Sequence, residues 1–151
     1  MTVPPAVVAA LQAALRAEHR AIYGYAALGP RLAGAQAQLA YSAERAHRNQ
    51  RDRTSSQLRA MSVVPASSAI SYAVPALPSA TAARSFARRL EDDAAAAWRY
   101  VIVETTLAEP TAVTRPIRDT ALTVLTASAV RALRWAELIE PAQPTVAFPG
   151  I

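Results

Sequence analysis

Apolar residues recur at every third or fourth position in four separate stretches of the chain. This spacing places them on one side of an α-helix, so each stretch predicts a helix with one buried face. Turn-forming residues separate the stretches, for example Gly29-Pro30 and Pro110. The predicted helices cover residues 5–28, 32–61, 79–108 and 110–140. Three prolines follow, so we predict an extended tail over residues 141–151, with Phe148 packed against the helices.

The segment between the second and third predicted helices, residues 62–78, has no helical period. It contains Pro65, Pro75 and Pro78 among serine and alanine residues. Fully extended, it spans about 55 Å at about 3.3 Å per residue, which exceeds the length of the second helix. We therefore predict an all-α four-helix bundle of two antiparallel hairpins, joined by a long crossover that starts the third helix parallel to the second.

The composition agrees with a single helical domain over residues 1–151. Hydrophobic residues make up 52% of the chain and aromatic residues only 6%, so Ala, Leu and Val dominate, as in closely packed helices. The absence of cysteine excludes disulfides and thiolate metal sites. We find no signal peptide and no stretch near the roughly 18 apolar residues of a membrane span. We therefore expect a soluble, cytoplasmic protein without a membrane partner.

The net charge of +5 raises the question of a nucleic-acid partner. All 16 basic residues are arginine, and lysine is absent. Together with the abundant alanine, this bias is typical of a high-GC genome rather than of a surface selected for phosphate binding. Nucleic-acid binding through Arg45, Arg48 and Arg59 on the outer face of the second helix is therefore kept as an alternative.

Glu18 lies inside the apolar stripe of the first helix, where an uncompensated carboxylate would be costly. Glu18 and Glu44 lie equally far from Arg31, the centre of the predicted turn, so an antiparallel hairpin places them at one level. His47 follows Glu44 by one helical turn. A glutamate from one helix and Glu-x-x-His from the next form half of the site in carboxylate-bridged di-metal bundles. His19, beside the stripe, is expected to be a surface or interface histidine and not a ligand.

The second hairpin repeats only part of this arrangement. Glu91 has alanine and tryptophan neighbours at helical spacing and is expected to point inward. At the same level of the fourth helix, the sequence Arg131-Ala132-Leu133-Arg134 occupies the place of a second Glu-x-x-His. Two guanidinium groups there would pair with the carboxylates and repel an incoming cation.

In these motifs the chain resembles the ferritin-like domain of unknown function found in high-GC bacteria. The resemblance covers nearly the whole length and is carried by residues 18–25, Glu44, His47 with Arg51-Asp52, residues 90–92 with Trp98-Arg99, residues 129–132 with Arg134-Trp135, and Phe148-Pro149-Gly150. It implies a ferritin-like fold but no known activity. Compared with di-iron members of that superfamily, the chain matches at Glu18, Glu44, His47 and Glu91 and departs at Arg131 and Arg134. These departures argue against ferroxidase or oxygenase chemistry.

We therefore predict a non-catalytic structural or interaction protein, a homodimer or the partner of another protein, without a cofactor. In this interpretation a degenerate di-metal site has become a buried network, whose members are Glu18, Glu44, His47 and Glu91 with Arg131 or Arg134. The alternative is a metalloprotein linked to iron handling or redox protection. Its single Fe, Mn or Zn ion would bind Glu18, Glu44 and His47, with Glu91 or water completing the site.

Overall fold

The computed structural model describes residues 3–140, and the regular secondary structure in that range is entirely helical. The elements are α1 (Pro5–Leu28), a 3-10 turn (Gly29–Arg31), α2 (Gly34–Ala60), α3 (Ala80–Leu107) and α4 (Thr114–Glu137). The prediction of an all-α fold with four helices is therefore confirmed for these residues. No described helix has both the length and the apolar character that a membrane span requires. The predicted tail, residues 141–151 with Phe148, lies outside the described residues.

Local hydrogen bonds explain where α3 begins and where α2 ends. The Ser79 hydroxyl accepts the amide of Ala82 at 3.2 Å and caps the start of α3. α2 ends where Ser62 adopts a left-handed conformation with φ of 60°. The amide of Val63 then donates to the Leu58 carbonyl at 2.9 Å, which closes the last turn of α2.

α4 begins at Thr114 and not at residue 110, where the sequence pattern placed its start. The Thr111 hydroxyl accepts the amides of Val113 and Thr114 at 3.2 and 3.1 Å. These bonds hold the preceding residues in a turn, because a side chain satisfies amides that a helix would otherwise have to satisfy.

The apolar core has two halves, one at each end of the four helices. The first half contains Val7, Leu11, Leu58, Trp98, Val101, Ile117 and Ala121. The second half contains Tyr25, Leu28, Ala40, Phe86, Leu90 and Trp135. Along the chain, α1 and α4 therefore run from the first half to the second, whereas α2 and α3 run in the opposite direction. α2 and α3 are parallel, so the connection between them must cover the length of a helix.

The connection between α2 and α3 follows the outside of α1. Its early residues pack on the first half of the core and its late residues on the second half, namely Met61, Val63 and Ala66 and then Val74 and Leu77. Gln12 fixes the early part, because its side chain donates to the Val64 carbonyl and accepts the Ala66 amide, both at 2.7 Å. Further along, the ring of Tyr72 packs edge-on against that of Tyr23, with centroids 5.5 Å apart. The connection is thus an ordered part of the protein.

Small residues set the close spacing of the helices. Of the 27 buried apolar residues between positions 3 and 140, thirteen are alanine, so neighbouring helices approach each other with little side-chain volume between them. Gly24 lies at a close approach of α1 and α3. A Cβ atom added there would lie 2.5 Å from Leu90 Cδ1 and 3.2 Å from the Phe86 ring. A side chain at residue 24 would therefore have to displace Leu90 and Phe86.

Replacing Gly24 by valine tests this packing. We expect Gly24→Val to lower the free energy of unfolding by about 1–3 kcal/mol, because the added methyl groups must displace Leu90 and Phe86 in a filled core. Urea denaturation measures the change. Gly29→Ala is the matched control, since a Cβ there meets no atom within 4 Å. A Gly24→Val variant as stable as the parent would contradict the close approach of α1 and α3.

Candidate functional site

Four charged side chains meet in the middle of the protein, between the two apolar halves of the core. Each helix contributes one of them: Glu18 from α1, His47 from α2, Glu91 from α3 and Arg131 from α4. Glu18 and Glu91 are fully buried and His47 is 1% exposed. The first three lie within the buried faces of their helices. Arg131 extends inward from the edge of α4 and keeps 15% of its side chain exposed.

His47 is the centre of this polar cluster, because its imidazole bridges the two buried carboxylates. Nδ1 donates to Glu18 Oε2 at 2.6 Å, and Nε2 donates to Glu91 Oε1 at 3.2 Å. Glu91 Oε1 also accepts a hydrogen bond from Arg131 Nε at 2.8 Å. Arg131 is itself oriented by a second bond, from Nη2 to the Ser128 hydroxyl at 3.0 Å. The acidic and basic side chains thus alternate in one hydrogen-bonded chain that connects all four helices.

Two buried aromatic side chains supply further hydrogen-bond donors to the carboxylates, and a third aromatic side chain donates to one of these two. Trp98 Nε1 donates to Glu18 Oε1 at 2.6 Å, and the Tyr25 hydroxyl donates to Glu91 Oε1 at 2.7 Å. The Tyr25 oxygen in turn accepts Trp135 Nε1 at 2.9 Å. The sequence interpretation placed these rings on apolar faces and missed their polar ends. The available signal was that a buried tryptophan N–H or tyrosine O–H requires a partner.

The cluster shifts the pKa values of its own members. Burial disfavours the charged imidazole and by itself would lower the pKa of His47, but the hydrogen bonds and charges of Glu18 and Glu91 outweigh it and raise that pKa from 6.5 to about 9. Burial likewise acts to raise the pKa of Glu91, yet His47 and Arg131 outweigh it and hold that pKa below its ordinary value. At neutral pH His47 is therefore a cation that donates from both nitrogens. Two cations then balance the two carboxylates.

Burial of the Tyr25 phenol, together with the negative charge of Glu91, raises the pKa of Tyr25 well above its ordinary value. The hydroxyl therefore keeps its proton and remains a donor to Glu91 across the physiological pH range. Its ring stacks on the imidazole of His47, with centroids 5.7 Å apart. Tyr25 thus contacts both His47 and Glu91.

Glu44 and Arg134, both predicted for this site, lie outside the cluster, which corrects the sequence interpretation. Glu44 lies on the edge of α2, and its Oε1 pairs with Arg48 Nη2 at 2.6 Å. The buried face of α2 passes through Ala43 and His47 instead. Arg134 is exposed on α4. The hairpin argument compares positions along the helix axis, but it does not fix the rotation that turns a side chain toward or away from the core.

The donor atoms of the cluster do not fit a metal ion in this arrangement. With a pKa of about 9, His47 carries protons on both nitrogens at neutral pH, and Glu91 Oε1 already accepts from Tyr25, Arg131 and His47. Within residues 3–140, no group of three or more histidine, aspartate or glutamate side chains is arranged to hold a metal. One oxygen stands apart: Glu91 Oε2 is buried and has no hydrogen-bond partner among the described residues.

A cleft of about 220 Å³ between α2 and α4 reaches the cluster from outside. Glu18, His47 and Arg131 form part of its lining, and Arg53 lines it as well. Three of these four groups are cationic at neutral pH, since the pKa of His47 is about 9. The approach to the buried carboxylates is therefore electrostatically unfavourable for a metal cation.

The fold and this site define the class of protein: an all-α four-helix protein whose helices meet at a buried ion-pair cluster. The chain belongs to the family described as "Domain of unknown function (DUF4439)", whose sequence profile matches residues 10–151. It is also similar to the crystal structure of a conserved hypothetical protein, rv2844, from Mycobacterium tuberculosis. The two are 36% identical with a TM-score of 0.81, over 95% of this chain and 97% of that chain. No curated protein matches the chain. Neither description specifies an activity.

The raised pKa of His47 predicts a pH-dependent stability. Because the folded value of about 9 exceeds the ordinary 6.5, the stabilisation is fully present below pH 6.5 and is lost as the pH rises through 9. The free energy of unfolding should fall by up to about 3 kcal/mol over this interval, at 1.36 kcal/mol per pKa unit. Denaturation at a series of pH values measures it, and NMR titration of the imidazole reports the pKa directly.

The second histidine provides the control for this measurement. His19→Gln should keep the same pH dependence, whereas His47→Gln should lose it. A stability that stays constant between pH 6.5 and 9, or an imidazole of His47 that titrates near its ordinary 6.5, would contradict the charged bridge between Glu18 and Glu91.

Proposed function

We propose that this protein is a ferritin-like helical bundle with a non-catalytic, structural or interaction role, in which an ion-pair network has replaced the metal centre of such bundles. The observation that carries the proposal is the guanidinium of Arg131, which bonds Glu91 at 2.8 Å in the place where the second hairpin of a di-metal bundle supplies metal ligands. In this view the cluster holds the helices together and takes part in no reaction.

The directions of the helices support the ferritin-like part of the proposal. α1 is antiparallel to both α2 and α3, and α4 is antiparallel to α3, as the two halves of the core require. The connection between α2 and α3 crosses from one half of the core to the other. Two antiparallel hairpins with one long crossover are the arrangement of ferritin-like bundles.

The distribution of charge supports the replacement of the metal. Di-metal bundles place cations between inward-pointing carboxylates. Here His47 and Arg131 supply two positive charges against Glu18 and Glu91, so the buried site is neutral without any ion. A buried carboxylate without such a partner would be strongly destabilising. The same charges that make the bundle stable would therefore oppose metal entry.

The chemistry of the remaining side chains supports a non-catalytic role. The chain has no cysteine and no lysine, and it has only two histidines. His47 is enclosed between two carboxylates. His19 Nε2 is 3.1 Å from the Ala66 carbonyl, which it bonds as a donor. Neither imidazole is placed as an accessible general base.

One observation favours the alternative of a single metal ion. Among the described residues, Glu91 Oε2 is buried without a hydrogen-bond partner, and the same carboxylate bonds the imidazole of His47 through Oε1. Such an unpaired oxygen is a potential metal ligand. Binding there would require His47 to lose a proton whose pKa is about 9. Metal affinity should then rise steeply with pH, because the proton and the metal compete for the same nitrogen.

Arg131→Ala tests whether the guanidinium is part of the network. Removing it leaves Glu91 buried with one counter-charge fewer, so we expect the free energy of unfolding to drop by about 3 kcal/mol or more. Arg134→Ala is the matched control, and its exposed side chain should contribute less than about 0.5 kcal/mol. Chemical denaturation compares the two variants. If Arg131→Ala also costs less than about 0.5 kcal/mol, Arg131 is not needed to neutralise the carboxylates.

Elemental analysis decides between the network and the metal ion. After incubation with Fe(II), Mn(II) or Zn(II) at neutral pH and desalting, we expect less than about 0.1 equivalent of metal per chain, because the ligand atoms are already bonded to protons and arginine. One equivalent that is lost in His47→Ala would refute the network as the resting state of the site and would favour the metalloprotein.

A further inference from the structure

A second polar cavity lies on the opposite side of α2, away from the ion-pair cluster. It is a groove of about 600 Å³ between α2 and the early part of the connection to α3. We call it the connector groove, and its polar lining consists of His19, Arg51, Asp52, Ser55, Ser56, Arg59, Ser67 and Ser68. Its volume is that of a small-molecule site.

One side of the connector groove is a straight row on α2. Arg51, Ser55 and Arg59 follow each other at intervals of four residues and therefore lie along one face of the helix. The row is about 12 Å long at 1.5 Å per residue. Arginine residues stand at its two ends, and the hydroxyl-bearing Ser55 lies between them.

The other side of the groove is held in place by α1. Gln12 bonds the backbone of Val64 and Ala66 at 2.7 Å, and His19 bonds the Ala66 carbonyl at 3.1 Å. These bonds fix the backbone immediately before Ser67 and Ser68. The two sides are thus ordered relative to each other before any ligand arrives, which reduces the entropic cost of binding.

Charge and hydrogen-bonding capacity indicate an anionic ligand. Among the described residues, Asp52 is the only acidic one in the lining, and Arg51 pairs with it at 2.8 Å. Arg59 forms no ion pair with any residue between 3 and 140 and leaves the groove with a positive charge. Ser55 is 8% exposed and lines the groove, yet its hydroxyl makes no hydrogen bond within the described part of the chain. Hydroxyl and guanidinium donors facing one cavity are suited to phosphate oxygens.

We propose that the connector groove binds a phosphate-bearing metabolite, with Arg59 on the phosphate and the Ser55 hydroxyl as a second donor. The length of the α2 row suits a molecule larger than free phosphate, with Arg51 and Asp52 contacting its polar remainder. This site is independent of the ion-pair cluster, so it does not depend on the structural role proposed above.

Isothermal titration calorimetry with inorganic pyrophosphate tests the proposal. We expect a dissociation constant below about 1 mM at low salt, rising with ionic strength. Arg59→Gln should weaken binding by about tenfold or more, the effect of losing about 1.4 kcal/mol. Ser55→Ala should weaken it severalfold. Both variants should keep the helical circular dichroism of the parent, because neither side chain is bonded to the described fold.

Arg45→Gln is the matched control, because Arg45 is exposed on the same helix but does not line the groove. It should change pyrophosphate affinity less than twofold. Equal losses in Arg45→Gln and Arg59→Gln would indicate a diffuse positive surface and would overturn the proposal, as would the absence of binding. Tighter binding of a single-stranded oligonucleotide that depends on Arg45 as well would replace the metabolite by nucleic acid. Amide shifts confined to the residues around Ser55 and Ser67 would support the groove.

Discussion

The burial of two carboxylates in the middle of the helices is the constraint on which the rest of the structure depends. Glu18 and Glu91 are removed from water completely, and each must find opposite charge and hydrogen-bond donors inside the protein. His47 and Arg131 supply the charge from α2 and α4, and Trp98 and Tyr25 supply the donors. Because the four charges come from four different helices, none of the helices can shift along its axis without leaving a buried charge unpaired. The cluster therefore fixes the register of the helices, which alanine-rich apolar faces specify only weakly.

The polar layer and the apolar halves thus have different roles. The apolar halves provide most of the free energy of folding through burial, and their small side chains allow helices to approach closely. The ion pairs contribute specificity, because a neutral and fully bonded set of charges has one satisfactory geometry. Glu91 Oε2 is the exception, since it lacks a partner among the described residues.

Residue patterns predicted the helices because each has one strongly apolar face, and they identified Glu18 and Glu91 because carboxylates on such a face require compensation. His47 was identified by its Glu-x-x-His spacing. The patterns did not predict the position of Glu44, because two residues at the same height along paired helices can still point in different directions around the helix axis. In the structure, Glu44 pairs with Arg48 at the edge of α2. From the sequence, Arg131 and Arg134 were equally good candidates to pair with the buried carboxylates. Only the packing of α4 shows that Arg131 does so. The contacts of Gln12 with the connection could not be predicted, because residues 62–78 lack any period from which a facing direction could be read.

The long crossover has a consequence for how the molecule is assembled. Within each hairpin, contacts join residues that are near in sequence, and such contacts close with a small loss of chain entropy. The bonds from Tyr25 to Glu91 and from Trp98 to Glu18 instead join residues 66 and 80 positions apart. These bonds can form only when the connection has wrapped along α1 and brought the second hairpin onto the first. Because non-local contacts close with a larger loss of chain entropy, we expect the charged centre to form after the local contacts within each hairpin.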